Sequence, residues 1–219
     1  FDVTVTAVND APTVSAIANQ TTDEDVSTGA IAFTVGDVET AAADLTVTAT
    51  SDDQALIPNA NITLGGSGAN RTIEILPGEH ENGGPATITV TVDDGTTTTQ
   101  TTFDVTVTAV NDAPVISAAN AVTINENSSA VLTATATDLD VPAQPLRFSI
   151  TGGADAALFD IDTISGELSF LTAPDFESPS DVGSDNTYEV EITVDDGATG
   201  TDSQSVTVDV ADVDEFDVS

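Results

Sequence analysis

The twelve residues from Phe1 to Pro12, FDVTVTAVNDAP, recur letter for letter as Phe103 to Pro114, 102 residues further on. A run of identity at a fixed offset makes the chain a tandem repeat, and that constrains its fold more than any composition does. The same offset carries Asp23-Glu24-Asp25 onto Asn125-Glu126-Asn127 and Val92-Asp93-Asp94-Gly95 onto Val194-Asp195-Asp196-Gly197. Asp37-Val38-Glu39 moves by 101 onto Asp138-Leu139-Asp140. Two units are expected, residues 11–112 and 113–214. Residues 1–10 are expected to be the last strand or linker of a preceding repeat, and 215–219 the start of a following linker. The chain contains no Met, and we expect it to be a piece of a longer array.

Within each unit the hydrophobic period is 2. Val3/Val5, Val47/Ala49, Ile88/Val90/Val92, Phe103/Val105/Val107, Val190/Ile192/Val194 and Val206/Val208/Val210 alternate with Thr, Asp or Glu, the pattern of half-buried strands. Turn-forming runs rich in Gly, Asp, Asn and Pro separate them, and no segment sustains a 3.6 period with caps. The expected class is all-β: two tandem Ig-like Greek-key sandwiches of about seven antiparallel strands each.

Charge narrows the function. Against 38 acidic residues stand Arg71 and Arg147 alone, for a net charge of −36, so nucleic acid and anionic membrane surfaces are excluded as partners. Without Cys there is no disulfide frame or thiolate metal site. No apolar run approaches the ~18 to 20 residues of a membrane-spanning helix. Of the acidic residues 27 are Asp, a turn former and a ligand for hard cations. A merely solvating surface would scatter them, yet in unit two they follow an order: Glu126 before the second strand, Asp138-x-Asp140 after it, Pro174-Asp175-Phe176-Glu177, Asp195-Asp196 at a strand end, and Asp212-Val213-Asp214-Glu215 at the close.

That series, end to end, resembles the cadherin repeat. Phe159 to Phe170 is similar to that family's hairpin, with Ser165-Gly166 where Thr-Gly is usual, and Asp175-Phe176-Glu177 fits its Asp-x-Glu element. Unit one resembles the cadherin-like repeats of large bacterial surface proteins. It keeps Glu24, Asp37-x-Glu39, Asp94 and the linker Val110-Asn111-Asp112, but has Leu76-Pro77-Gly78-Glu79-His80-Glu81 in place of Asp-x-Glu.

The resemblance implies Ca2+ bound between consecutive repeats. The internal junction would draw Glu24 from unit one, Asn111 (by its carbonyl) and Asp112 from the linker, and Asp138, Asp140 and Asp196 from unit two, with Asp196 preferred over Asp195 by strand parity. Glu126, Asp175, Glu177, Asp212, Asp214 and Glu215 would serve a junction after unit two, and Asp10, Asp37, Glu39 and Asp94 one before unit one. Ala109 and Ala113 stand where the family's linker commonly offers Asp and Asn, so the internal site is expected to be thinned. An all-oxygen donor set suits calcium independently of any family.

Other chemistry finds little support. His80 between Glu79 and Glu81 is expected to be a solvated loop residue, no nucleophilic triad can be assembled, and paired carboxylates would need an apolar cleft to hydrolyse glycosides. No catalytic residue and no enzyme activity are expected. There is no Trp, and the single Tyr, Tyr188, is expected in the core with its hydroxyl on a backbone group, as are Phe148, Phe159, Phe170 and Phe176. The expected function is a calcium-rigidified spacer in a secreted or surface-anchored bacterial adhesin, a monomer as a fragment, its partners neighbouring repeats and a cell-surface protein or glycan. The alternative is a calcium-dependent carbohydrate-binding or homophilic adhesion module.

Overall fold

The computed structural model describes residues 1–4, 6 and 8–214, and the chain divides into two compact units, Phe1–Val110 and Asn111–Ser219. Unit one contains β1 (Thr13–Val14), β2 (Gln20–Asp23), β3 (Ile31–Gly36), β4 (Thr46–Ser51), β5 (Ile62–Ser67), β6 (Asn70–Ile75), β7 (Gly83–Asp93) and β8 (Thr98–Thr108). One sheet has the order β1-β3-β6-β5 and the other β2-β8-β7-β4. The described residues among 1–10 form no strand. The alternation seen in sequence sets the faces: Ile88, Val90, Val92 and Val105 are fully buried between the sheets. Each such side chain contributes about 1.5 to 3 kcal/mol relative to leaving it exposed.

Unit two repeats the plan with β9 (Val115–Ser117), β10 (Ala121–Asn125), β11 (Ala130–Thr133), β12 (Thr135–Thr137), β13 (Arg147–Gly152), β14 (Phe159–Ile161), β15 (Glu167–Phe170), β16 (Thr187–Asp195) and β17 (Thr201–Ala211). Its main sheet runs β10-β17-β16-β13, faced by β11-β15-β14 and β12-β9. Phe148, Phe159, Phe170 and Tyr188 are buried and Phe176 packs against them. The Phe170 and Tyr188 rings meet edge to face at 5.0 Å, and the Tyr188 hydroxyl accepts the Ser180 N–H at 3.3 Å. Strand segments outnumber the seven expected because the entry strand is split between two sheets and because β11 and β12 are parted at Ala134. There Ala134 donates its N–H to the Gly166 carbonyl instead. Gly166 sits at φ +71°, and a Cβ on it would run into the Ala134 carbonyl oxygen, so this crossing requires glycine.

The pairing is not wholly antiparallel. β2 pairs parallel with β8, and β10 with β17. Once past β1, the chain crosses the sandwich at buried Ile17 and joins the opposite sheet beside the last strand. Parallel pairing puts the ends of both strands at one pole of the unit, which brings the residue after β2 next to the residues after β8.

Candidate metal centre

At the entry pole of unit two three elements converge: the chain arriving at Asn111 and Asp112, the loop after β12, and the turn between β16 and β17. The carboxylates of Asp138, Asp140 and Asp196 approach so closely that one oxygen of each lies within 4.8 Å of the others. Asp140 is 9% exposed and Asp196 2%. Buried carboxylates are ordinarily paired with a cation, yet much of what holds these is backbone amide. Asp138 Oδ1 accepts the Asp140 N–H at 2.9 Å, Asp140 Oδ1 accepts the Asp112 N–H at 3.1 Å, and Asp196 Oδ1 accepts Ala198 N–H at 2.7 Å. The Asn111 side chain donates to Asp196 Oδ2 at 2.9 Å and to the Asp112 carbonyl at 2.8 Å. This Asn111 amide holds the Asp196 carboxyl below the usual carboxylate range, helped by the Ala198 and Gly200 amides and opposed by burial. Gly200 is also required here, because a Cβ would strike Asp196 Oδ2 and the Ala113 backbone.

The entry pole of unit one is built in the same way from residues 101 or 102 positions earlier. Asn9 donates to Asp94 Oδ2 at 3.0 Å and to the Asp10 carbonyl at 2.8 Å, and the Asp10 N–H donates to Glu39 Oε2 at 3.1 Å. Asp37 Oδ1 accepts from Glu39 and Thr40. The Thr97 N–H, then the Asn9 side chain, draw the Asp94 carboxyl down to about 2, against a small effect of burial. One carboxylate oxygen in each pole, Asp37 Oδ2 and Asp138 Oδ2, is buried without a hydrogen-bond partner.

The exit poles rest on one buried glutamate each. Glu126 (3% exposed) accepts the Val213 N–H on Oε1 and the Phe176 N–H on Oε2, both at 2.8 Å. Those two amides, Val213 first, lower its carboxyl below the ordinary glutamate value. An oxygen of Glu126 lies within 4.8 Å of Asp175 and Glu177 oxygens. For Glu177 the pull of its own backbone amide is outweighed by desolvation and by the charges of Glu126, Asp212 and Asp175, so its carboxyl is raised. Glu24 (4% exposed) in unit one accepts the Val110 N–H on Oε1 at 2.5 Å, the counterpart of the Val213 bond. Its Oε2, however, is met by the Asn82 side chain at 3.3 Å.

Among the sequence candidates, Asp138, Asp140 and Asp196 are brought together with the linker residues Asn111 and Asp112, and Asp37, Glu39 and Asp94 with Asp10. Glu126, Asp175 and Glu177 form one group with Asp212 close enough to raise Glu177. Asp195 stands apart: it is exposed and caps the turn through the Gly197 N–H at 2.7 Å. Asp214 is exposed, and Glu215 lies outside the described residues. Asn111, expected to serve by its carbonyl, has its side-chain amide on Asp196 and on the Asp112 carbonyl.

His80 is not the solvated residue expected from sequence. Its side chain is 25% exposed with Nδ1 3.2 Å from Asp25 Oδ2, and its backbone N–H donates to Asp25 Oδ1 at 2.9 Å. Left-handed backbone at both Asp25 (φ 57°) and His80 (φ 55°) folds the loop onto that carboxylate. Sequence reasoning also missed Asn9, Asn82 and Gln144, because it searched for carboxylates. The two orphaned, buried carboxylate oxygens and the oxygen-only clusters fit a hard divalent cation such as calcium, which takes 6 to 8 oxygens.

Residues 120–211 match the family model of the cadherin domain. No curated protein matches the chain in sequence. Among solved structures the chain is similar to protocadherin gamma B2 extracellular cadherin domains 1–5, with 17% identity and a TM-score of 0.58 over 95% of this chain and 42% of that one. It is similar to protocadherin gammaB7 EC3–6, solved as a cis-dimer, with 19% identity and a TM-score of 0.55 over 94% of this chain and 51% of that one. Human protocadherin-24 EC1–2 matches with 18% identity and a TM-score of 0.55, over 94% of this chain and 100% of that one. The chain thus spans about half, or less, of the first two, and at these identities the likeness concerns the fold. The chain thus shares the β-sandwich fold of these extracellular cadherin domains, and residues 120–211 are the part whose sequence matches the cadherin domain.

Proposed function

We propose that the chain is a pair of calcium-binding extender repeats, 11–112 and 113–214, from a secreted or cell-surface bacterial adhesin, with calcium stiffening the linker between them. The observation that carries this reading is the entry pole of unit two: three carboxylates, two of them buried, with an oxygen of each within 4.8 Å of the others, and one oxygen of Asp138 buried without a partner. Such a group is expensive unless a cation compensates it. Asp138, Asp140 and Asp196 would hold the ion with Asp112 and Asn111. When bound, calcium supplies charge compensation and oxygen coordination that tie the linker down. The residues do the rest: the Asn111 amide seats Asp196, the Asp112 amide seats Asp140, and Glu24 grips the linker at Val110. Bacterial origin is favoured by the letter-for-letter recurrence of FDVTVTAVNDAP and the absence of Cys and Lys, and a calcium-rich exterior would fill weak modular sites.

Calorimetric titration of the whole chain with calcium tests the reading, followed by small-angle scattering in calcium and in chelator. Saturable binding with a shorter maximum dimension in chelator is the expected outcome. The absence of a binding heat up to millimolar calcium sinks the proposal.

A further inference from the structure

Gln144 ties the loop after β12 to the arriving chain. Its Nε2 donates to Asp140 Oδ2 at 2.6 Å and to Asn111 Oδ1 at 3.0 Å. Asn111 in turn donates to Asp196 Oδ2 at 2.9 Å. Two neutral amides therefore run in series from Asp140 to Asp196 across the carboxylate group. The 101-residue offset that aligns Asp37 with Asp138 places Ala43 opposite Gln144, and in unit one Asn9 turns to Thr97 Oγ1 at 3.3 Å. The relay is thus a property of one unit and not of the fold.

A primary amide carries donors on one side and an acceptor on the other, and half a turn about its last torsion exchanges them without moving the rest of the side chain. We propose that Gln144 is an additional ligand of the cation at the entry pole of unit two. Its amide donates to Asp140 and Asn111, and half a turn would present Oε1 to that cation. This inference rests on the calcium reading above and extends it. Unit two gains one neutral oxygen where unit one has a methyl group, so the two entry poles differ in affinity, that of unit two being the tighter. The same side chain satisfies two acceptors, which holds Asp140 in place without adding charge.

The test uses the whole chain, calcium alone as the probe, and the variants Gln144→Ala and Gln144→Glu. Gln144→Ala should weaken one calcium-binding step by about tenfold or more, the cost usual for groups that support a metal site. Gln144→Glu retains an oxygen and adds charge, so it should bind calcium at least as tightly as the wild type while melting lower in chelator, with a carboxylate set against Asp140. In the wild type the Gln144 side-chain NH2 resonances should shift with calcium at the occupancy of that step. If the wild type binds calcium and Gln144→Ala binds it equally well, with a melting temperature lowered by the same amount in calcium and in chelator, Gln144 is only structural and this inference falls alone. If the wild type binds no calcium, the calcium reading falls and takes this one with it.

Discussion

Asp138→Asn should raise the stability of unit two in chelator and lower its response to calcium, so the order of the two melting temperatures inverts with the ion. The variant keeps Oδ1, which accepts the Asp140 N–H at 2.9 Å, and turns the orphaned Oδ2 into an amide donor facing acceptors. It also removes the repulsion between Asp138 and Asp140, whose nearest relevant oxygens lie within 4.8 Å. At that separation a like-charge pair costs about 3.5 kcal/mol at an effective dielectric of 20 and about 0.9 at 80. For a sandwich of this size each kcal/mol moves the midpoint by about 4 to 8 °C, so the unit-two transition should rise by at least about 4 °C in chelator. Calcium at a hundred times its dissociation constant adds about 2.7 kcal/mol to the wild type, and the variant should forfeit most of that gain. Differential scanning calorimetry in chelator and in calcium reads both effects, with Asp160→Asn, an exposed position on β14, as the neutral control. A lower midpoint for Asp138→Asn in chelator would show that the Asp138 charge stabilises the ion-free fold, and the reasoning would be refuted.

In calcium titration, Asp140→Ala should weaken binding far more than Asp160→Ala or Asp202→Ala. Asp202 holds the Ile116 N–H at 3.0 Å, so its variant should lose stability and keep affinity; three equal titrations would mark the acidity as generic. Because the folded Asp94 carboxyl titrates at about 2 against an ordinary aspartate value of 3.8, it stabilises unit one fully above the unfolded value and loses that contribution as pH falls toward 2. Asp94→Asn should therefore flatten the acid limb of unit one between about pH 4 and 2, followed by circular dichroism, and an unchanged limb would count against the bonds from Thr97 and Asn9. Gly166→Ala should destabilise unit two by about 2 kcal/mol or more, through its left-handed φ and the clash with the Ala134 carbonyl; a chemical denaturation midpoint equal to wild type would contradict this.

Much of the fold was legible because period-2 alternation is a direct consequence of burying one face of a strand. Val190, Ile192 and Val194 fixed the inward parity, and that parity separated Asp196, which is buried, from Asp195, which is exposed. What resisted reading was whatever depends on the third dimension. Nothing in Gln20 to Asp23 announces a parallel partner, since either direction satisfies the same alternation. The split at Ala134 follows from a carbonyl bond to Gly166, 32 residues away in sequence. The site was visible in its charges and hidden in its neutral members: Asn9, Asn82 and Gln144 act through amides, whose commonness in loops gives no signal. His80 was misjudged because left-handed turns at Asp25 and His80 bring together residues that the chain separates by more than fifty positions.

The way each entry pole clasps the Asn-Asp pair that precedes it has a practical bearing on anyone who would cut, graft or reorder such modules. Asn111 and Asp112 are bonded to Asp196 and Asp140, as Asn9 and Asp10 are to Asp94 and Glu39. A transplanted module beginning at Ala113 would leave Asp140 and Asp196 without those amides, whereas one beginning at Asn111 would bring its own latch. The dipeptide that looks like a connector is, in bonding terms, the first piece of the module it introduces.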